Sequence, residues 1–154
     1  MLTVRKSCRF HAAHILTGHA GACRNLHGHT YRVTAEVAQA AGDTADMVID
    51  FHDLKALLRE TVAAPFDHAF LYDETSAAER EIAAVIVKQG MKAAGFPFRT
   101  TAENLARHIF GVLASRVRVT AVTVWETDDS CAEYREGSAP DGPGERVERI
   151  DSVE

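Results

Sequence analysis

The stretch Cys23-Arg-Asn-Leu-His-Gly-His29 carries one thiol and two imidazoles within seven residues, the densest run of reactive side chains in the sequence. His27 and His29 are two apart, so on an extended strand both rings leave the same face, and Gly28 between them permits a close backbone approach. Beyond them Tyr31, Val33, Ala35 and Val37 share that face while Thr30, Arg32, Thr34 and Glu36 take the other. This is the pattern of a half-buried β-strand that opens on its histidines. Two histidines at a strand mouth can chelate one ion. A catalytic zinc ordinarily takes three protein ligands and keeps one position for water or substrate, so a third ligand is expected, and His14 is the best placed.

The segment before this stretch shows why. From Leu2 to His14, Val4, Cys8, Phe10, Ala12 and His14 fall on one face and Thr3, Arg5, Ser7, Arg9 and His11 on the other, with Lys6 interrupting the apolar side. His14 ends an apolar face where His27 begins one, so a hairpin pairing the two strands brings them to one rim. His11 lies on the opposite face and does not join. The connection from Ile15 to Leu26, with Gly18, Gly21 and Cys23, is long for a hairpin and reads as a functional loop. Its His19 could serve as a fourth ligand but reads more simply as a solvated loop histidine.

After the second strand, Ala41 to Thr44 forms a turn and Met47-Val48-Ile49 a short apolar extension. Asp50 and Asp53 are spaced like a capping box, and Leu54, Leu57, Leu58, Thr61 and Val62 follow at helical spacing until Pro65 stops the run. Asp67-His68 then sits inside an apolar run; taken as a dipeptide alone it reads as a surface turn, and the carboxylate could orient the imidazole only in an irregular turn or across a subunit contact. Ala77 to Ala94 suggests a helix weakened by Gly90 and Gly95. Thr100 and Glu103 form a second capping box ahead of a helix carrying Ala102, Leu105, Ala106, Ile109 and Leu113, with Thr101 and Asn104 as capping and surface positions.

Arg118 to Thr127 is an alternating β-branched strand in which Glu126 shares a face with Val122 and Val124. A carboxylate there requires a base or a ligand as partner. A short last strand is expected at Ala132 to Arg135, and 136–154 reads as an acidic flexible tail. The order predicts one α+β domain over 1–135, an antiparallel sheet with helices on one face.

Composition narrows the function. A chain of 154 residues, 46% hydrophobic and 25% charged, is the size of one globular domain with a sizeable core. Its net charge of −5 argues against a nucleic-acid binder, which needs clustered Lys and Arg. Neither a signal-peptide core nor a bilayer-length apolar run is evident, so a cytoplasmic protein without membrane contact is expected. Cys8, Cys23 and Cys131 are an odd count and read as free thiols, Cys8 as a small core hydrophobe and Cys131 as structural or loop chemistry.

Six motifs in order, Phe10-His-Ala-Ala-His14, Cys23-Arg-Asn-Leu-His-Gly-His29, Val48-Ile-Asp-Phe51, Phe66-Asp-His68, Thr101-Ala-Glu-Asn-Leu-Ala106 and Trp125-Glu-Thr127, resemble those of the 6-pyruvoyl-tetrahydropterin synthase and 6-carboxytetrahydropterin synthase family over about residues 3 to 135. The resemblance implies the tunnelling fold, ββααββ subunits closing into trimeric β-barrels that stack as homohexamers, with active sites at subunit interfaces. It implies Zn2+ on His14, His27 and His29, a catalytic thiol at Cys23, a catalytic pair at Asp67 and His68, and substrate contacts from Glu126 and Thr101. It implies a pterin substrate, 7,8-dihydroneopterin triphosphate. The spacing Cys-x-x-x-His-Gly-His resembles the bacterial queuosine-route branch, whose product is 6-carboxytetrahydropterin, with release of acetaldehyde and triphosphate.

The chain departs from the family pattern in a longer segment between Asp73 and Arg99 and in Thr100, which stands where proline is usual. Three other readings stay open on the sequence: the pyruvoyl-forming branch, a closed zinc clip with Cys23 as fourth ligand, and a different pterin enzyme such as an aldolase.

Overall fold

In a computed structural model, the structure describes residues 1–135 and Gly137. The predicted tail at 136–154 lies outside the described residues, apart from Gly137. Two long strands, β1 (Thr3–His14) and β2 (His27–Ala38), pair antiparallel in the register Ala12↔His29 and His14↔His27. The alternation predicts this pairing: Phe10, Ala12 and His14 are buried on the face they share with Tyr31, Val33 and Ala35. Gly28 is packed closely here, since a Cβ on it would meet the Ala12 carbonyl oxygen at 3.2 Å.

β5 (Val119–Trp125) and β6 (Cys131–Arg135) continue this antiparallel sheet from the β2 side. On the other side of β1 the sheet takes two strands not expected from the sequence, β3 (Ala69–Asp73) and β4 (Ala93–Phe96), both in parallel pairing, and the full order is β4-β3-β1-β2-β5-β6. The sheet is therefore mixed rather than wholly antiparallel.

The helices are α1 (Phe51–Leu58), α2 (Ala64–Phe66), α3 (Ala77–Lys88) and α4 (Ala102–Ala114). Asp50 caps α1 by accepting from the His52 amide at 2.6 Å. Pro65 does not end this run as expected. A π-helical turn over Arg59–Ala63 leads into α2, where proline sits in the first turn and its missing N–H leaves no donor unpaired. α3 stops at Lys88, where Gly90 takes a φ of +76° that closes the helix, so the chain from Ala93 is free to form β4. The cap of α4 is Thr101, which accepts from the Asn104 amide at 3.3 Å; Thr100, the predicted cap, is fully buried instead.

α1 and α4 cover one face of the sheet, where Leu54, Leu57, Leu58, Leu105, Ile109 and Leu113 pack on Phe10, Tyr31, Val33, Val122 and Val124. α3 lies on the other face. Its Ala83 and Ile86 pack with Phe70, Tyr72 and Ala13, the side chains of β3 and β1 that point away from the main core. The expectation of helices on one face therefore fails for α3. No helix among the described residues is long and apolar enough to cross a membrane.

Candidate metal centre

The β1/β2 register sets His14 directly opposite His27, and the two-residue period carries His29 to the same face. The three rings converge: centroids lie 4.5 Å apart for His14 and His27, 5.2 Å for His14 and His29, and 5.0 Å for His27 and His29. One ligand-capable nitrogen from each lies within 4.8 Å of the others.

Hydrogen bonds behind the rings decide what those nitrogens are. His14 Nδ1 donates to the Thr100 carbonyl at 2.9 Å and His27 Nδ1 to the Asn25 carbonyl at 2.7 Å. A neutral imidazole has one N–H, so both Nε2 atoms then carry lone pairs. They face each other at 3.0 Å. Two lone pairs at that separation repel unless a cation lies between them. The Nε2 of His29 is buried with no hydrogen-bond partner, a third ring nitrogen left unsatisfied beside the other two histidines. Backbone carbonyls fixing the remote nitrogen are the usual outer support of a histidine metal ligand. The donor set fits a divalent ion that takes imidazole, with zinc foremost.

Electrostatics agree. Burial, opposed by the Thr100 hydrogen bond and reinforced by His27 and His29, lowers the His14 pKa from 6.5 to about 4. Burial and then His27 lower that of His29. The buried ring is thus neutral at physiological pH, with its lone pair available.

Glu126, one residue past β5, brings Oε1 to 3.9 Å from His14 Nε2. Burial and then nearby Glu103 raise its pKa above the ordinary carboxylate value, with His27 opposing. It lines a cavity of about 330 Å³ together with Thr101, Glu103, Arg99 and His19. Here the carboxylate that sequence patterning left without a partner faces an open cleft. Thr101 borders the same cleft, though its hydroxyl is engaged as the α4 cap.

Cys23 is half-buried in a 3-10 turn (Ala22–Arg24) of the β1–β2 connection, and its carbonyl accepts from the Leu16 amide at 2.9 Å. It is not among the groups that converge on the three histidines. The connection is tied down at Thr17, whose hydroxyl donates to the buried Glu79 at 2.6 Å.

Asp67 and His68 form the irregular turn between α2 and β3. Asp67 Oδ2 accepts from His68 Nδ1 at 2.9 Å, Oδ1 accepts from the His11 amide at 2.8 Å, and His68 holds a strained φ of +57°. The pair is therefore rigidly posed, yet the His68 side chain is 78% exposed. It packs edge-on against His11, on the side of β1 away from His14. Within one chain, then, the pair and the histidine cluster occupy opposite faces of the sheet.

Thr100 and Asn25 escape sequence reasoning because they act through main-chain carbonyls, which carry no residue signature. Glu103 reads as a cap partner, and nothing in its spacing shows that its charge reaches Glu126.

Fold and site together define a mixed α+β domain with a three-histidine centre, capable of holding a metal, beside a half-buried carboxylate. Residues 3–137 match the family model described as 6-pyruvoyl tetrahydropterin synthase, and the chain belongs to that enzyme family. A curated relative from Haemophilus influenzae named 6-carboxy-5,6,7,8-tetrahydropterin synthase is 43% identical over 88% of this chain and 100% of its own length. Among solved structures, an uncharacterized protein from Wolinella succinogenes matches with a TM-score of 0.72 at 19% identity, covering 88% of this chain and 98% of that one. The 6-pyruvoyl tetrahydropterin synthase of Caenorhabditis elegans matches with a TM-score of 0.62 at 22% identity, covering 87% of this chain and 94% of that one. These structural likenesses extend to the fold.

Proposed function

We propose that the chain is a zinc-dependent lyase that converts 7,8-dihydroneopterin triphosphate to 6-carboxy-5,6,7,8-tetrahydropterin, releasing acetaldehyde and triphosphate, in the queuosine route. The observation that carries the metal-dependent reading is the pair of Nε2 lone pairs of His14 and His27 facing at 3.0 Å beside the orphaned Nε2 of His29. The 43% identical relative supports the carboxy branch.

His14, His27 and His29 would hold the ion, which supplies Lewis acidity toward the hydroxyls of the substrate's side chain. Glu126 fixes the ring: a carboxylate facing a cleft suits the paired N–H donors of a pterin, a charge-assisted bidentate match. Thr101 borders that end of the cleft and contacts the same ring. Cys23 serves as the base on one side of the side-chain carbon.

His68 moves the proton on the other side, oriented by Asp67 through the 2.9 Å hydrogen bond. Because the pair and the histidines lie on opposite faces in one chain, it serves the site of a neighbouring copy. Homohexamers, as dimers of trimers closing the curled sheet into barrels, supply that neighbour. The enzyme acts in the cytoplasm.

The Cys23→Ala variant tests the assignment. As an enzyme the variant keeps one zinc per chain, measured by elemental analysis, and loses turnover of 7,8-dihydroneopterin triphosphate. Joint loss of zinc and of the folded state would instead make the site a structural clip.

A further inference from the structure

α3 takes no part in the chemistry assigned above, yet its first turn reaches the loop that carries Cys23. Glu79 is 2% exposed, and both of its carboxyl oxygens are engaged. Oε2 accepts from the amide of Asp73, at the end of β3, at 2.7 Å; Oε1 accepts from the Thr17 hydroxyl at 2.6 Å and the Thr17 amide at 3.4 Å. Ile15, on the other side of Leu16, is buried in a cluster with Ala83 of the same helix. α3 therefore grips the β1–β2 connection on both sides of Leu16.

Leu16 is where that grip meets the site. Its amide donates to the Cys23 carbonyl at 2.9 Å, its carbonyl accepts from the His19 amide at 3.0 Å, and Leu16 and His19 both line the cleft that Glu126 faces. The apolar contact at Ile15 would suffice to keep the loop on the helix, but contacts of that kind are non-directional. A hydrogen bond has direction, and burying a carboxyl group to make one costs free energy that a mere tether does not require. The bond between Glu79 and Thr17 thus adds orientation: it fixes the path of the chain at Thr17, and with it the aim of the Leu16 amide that holds Cys23.

We infer that Glu79 is a positioning residue of the reaction, which acts through Thr17 and Leu16 to fix the turn that carries Cys23. This rests on the role given to Cys23 in the proposed function. It gives α3 a task, the stiffening of the catalytic loop from the other face of the sheet.

The test compares the zinc-loaded full chain with Thr17→Val, which replaces only the hydroxyl by a methyl group, and with Thr17→Ser, which keeps the hydroxyl. Thr17 is exposed, so neither change opens a cavity. Zinc content should be unchanged in both. With 7,8-dihydroneopterin triphosphate, kcat of Thr17→Val should fall roughly tenfold and KM should move less, because a slightly displaced base loses its aim at the reacting proton. Thr17→Ser should recover most of that loss. Iodoacetamide labelling, resolved thiol by thiol by peptide mass spectrometry, supplies a readout independent of turnover. Cys23 should be labelled several-fold faster in Thr17→Val as its loop opens more often, while Cys8, packed against the main core, keeps its rate. Faster labelling of Cys8 and Cys23 together would overturn the inference, since the bond would then serve stability alone, and so would an unchanged kcat or an unchanged Cys23 rate. An original chain that turns over no substrate would sink the enzyme reading and the catalytic role of Glu79 with it, a failure seen before any variant is compared.

Discussion

Acidifying the metal-free protein should destabilise it through His14. In the unfolded chain this histidine titrates near 6.5; in the fold, burial holds it at about 4. Between those values the unfolded state binds a proton that the folded state refuses, so stability is full above the unfolded pKa and declines as pH falls toward the folded one. At about 1.36 kcal/mol per pH unit, going from pH 7 to pH 5 removes about 2 kcal/mol, and the loss levels off near pH 4 at about 3 kcal/mol.

Other groups titrate nearby. His29 and His108, both lowered by burial, add to the loss, whereas Glu126, raised first by burial, opposes it. The effect of His14 is therefore isolated with His14→Gln, which cannot titrate. Urea unfolding of both proteins, at one protein concentration with chelator present and at pH 7, 6, 5.5 and 5, gives the comparison. The advantage of the original chain over His14→Gln should shrink by about 2 kcal/mol from pH 7 to pH 5. A difference that stays constant over that range would refute the argument that the His14 ring is buried neutral.

Glu79→Ala should cost about 2 to 4 kcal/mol in urea unfolding, because the buried carboxylate accepts from the Thr17 hydroxyl and the Asp73 amide, and both donors would be stranded. Asp67→Asn should leave zinc content unchanged and lower kcat by roughly two to four orders of magnitude in steady-state kinetics, because an amide cannot hold the His68 proton relay in the same state. Glu126→Gln should raise KM for the pterin substrate roughly ten- to a hundredfold, the worth of a charge-assisted hydrogen bond, with a smaller change in kcat.

The convergence of the three histidines was legible because they lie on long, regular strands. Alternation over Leu2 to His14 and His27 to Val37 determines which faces are apolar, and the histidines end and begin those faces, so their meeting follows from one pairing. Two helices were legible for the same reason, each having an apolar stripe with a capping residue ahead of it. β3 and β4 were not. They are five and four residues long, and β4 is Ala-Ala-Gly-Phe, without β-branched residues; both form through parallel pairings to distant chain, which leave no local period.

Asp67-His68 shows the same limit. A carboxylate gripping the amide of His11, 56 residues away, turns an ordinary-looking dipeptide into a rigid pair, and only the motif resemblance pointed to it. The support of His14 is likewise remote, a main-chain oxygen 86 positions along the chain.

The most direct test of the account is mass spectrometry of the products after zinc-loaded protein is incubated anaerobically with 7,8-dihydroneopterin triphosphate. A 6-carboxytetrahydropterin mass appearing together with acetaldehyde is the predicted result. A 6-pyruvoyl product would contradict the carboxy branch, and unchanged substrate over a fully occupied metal site would contradict the enzyme assignment altogether.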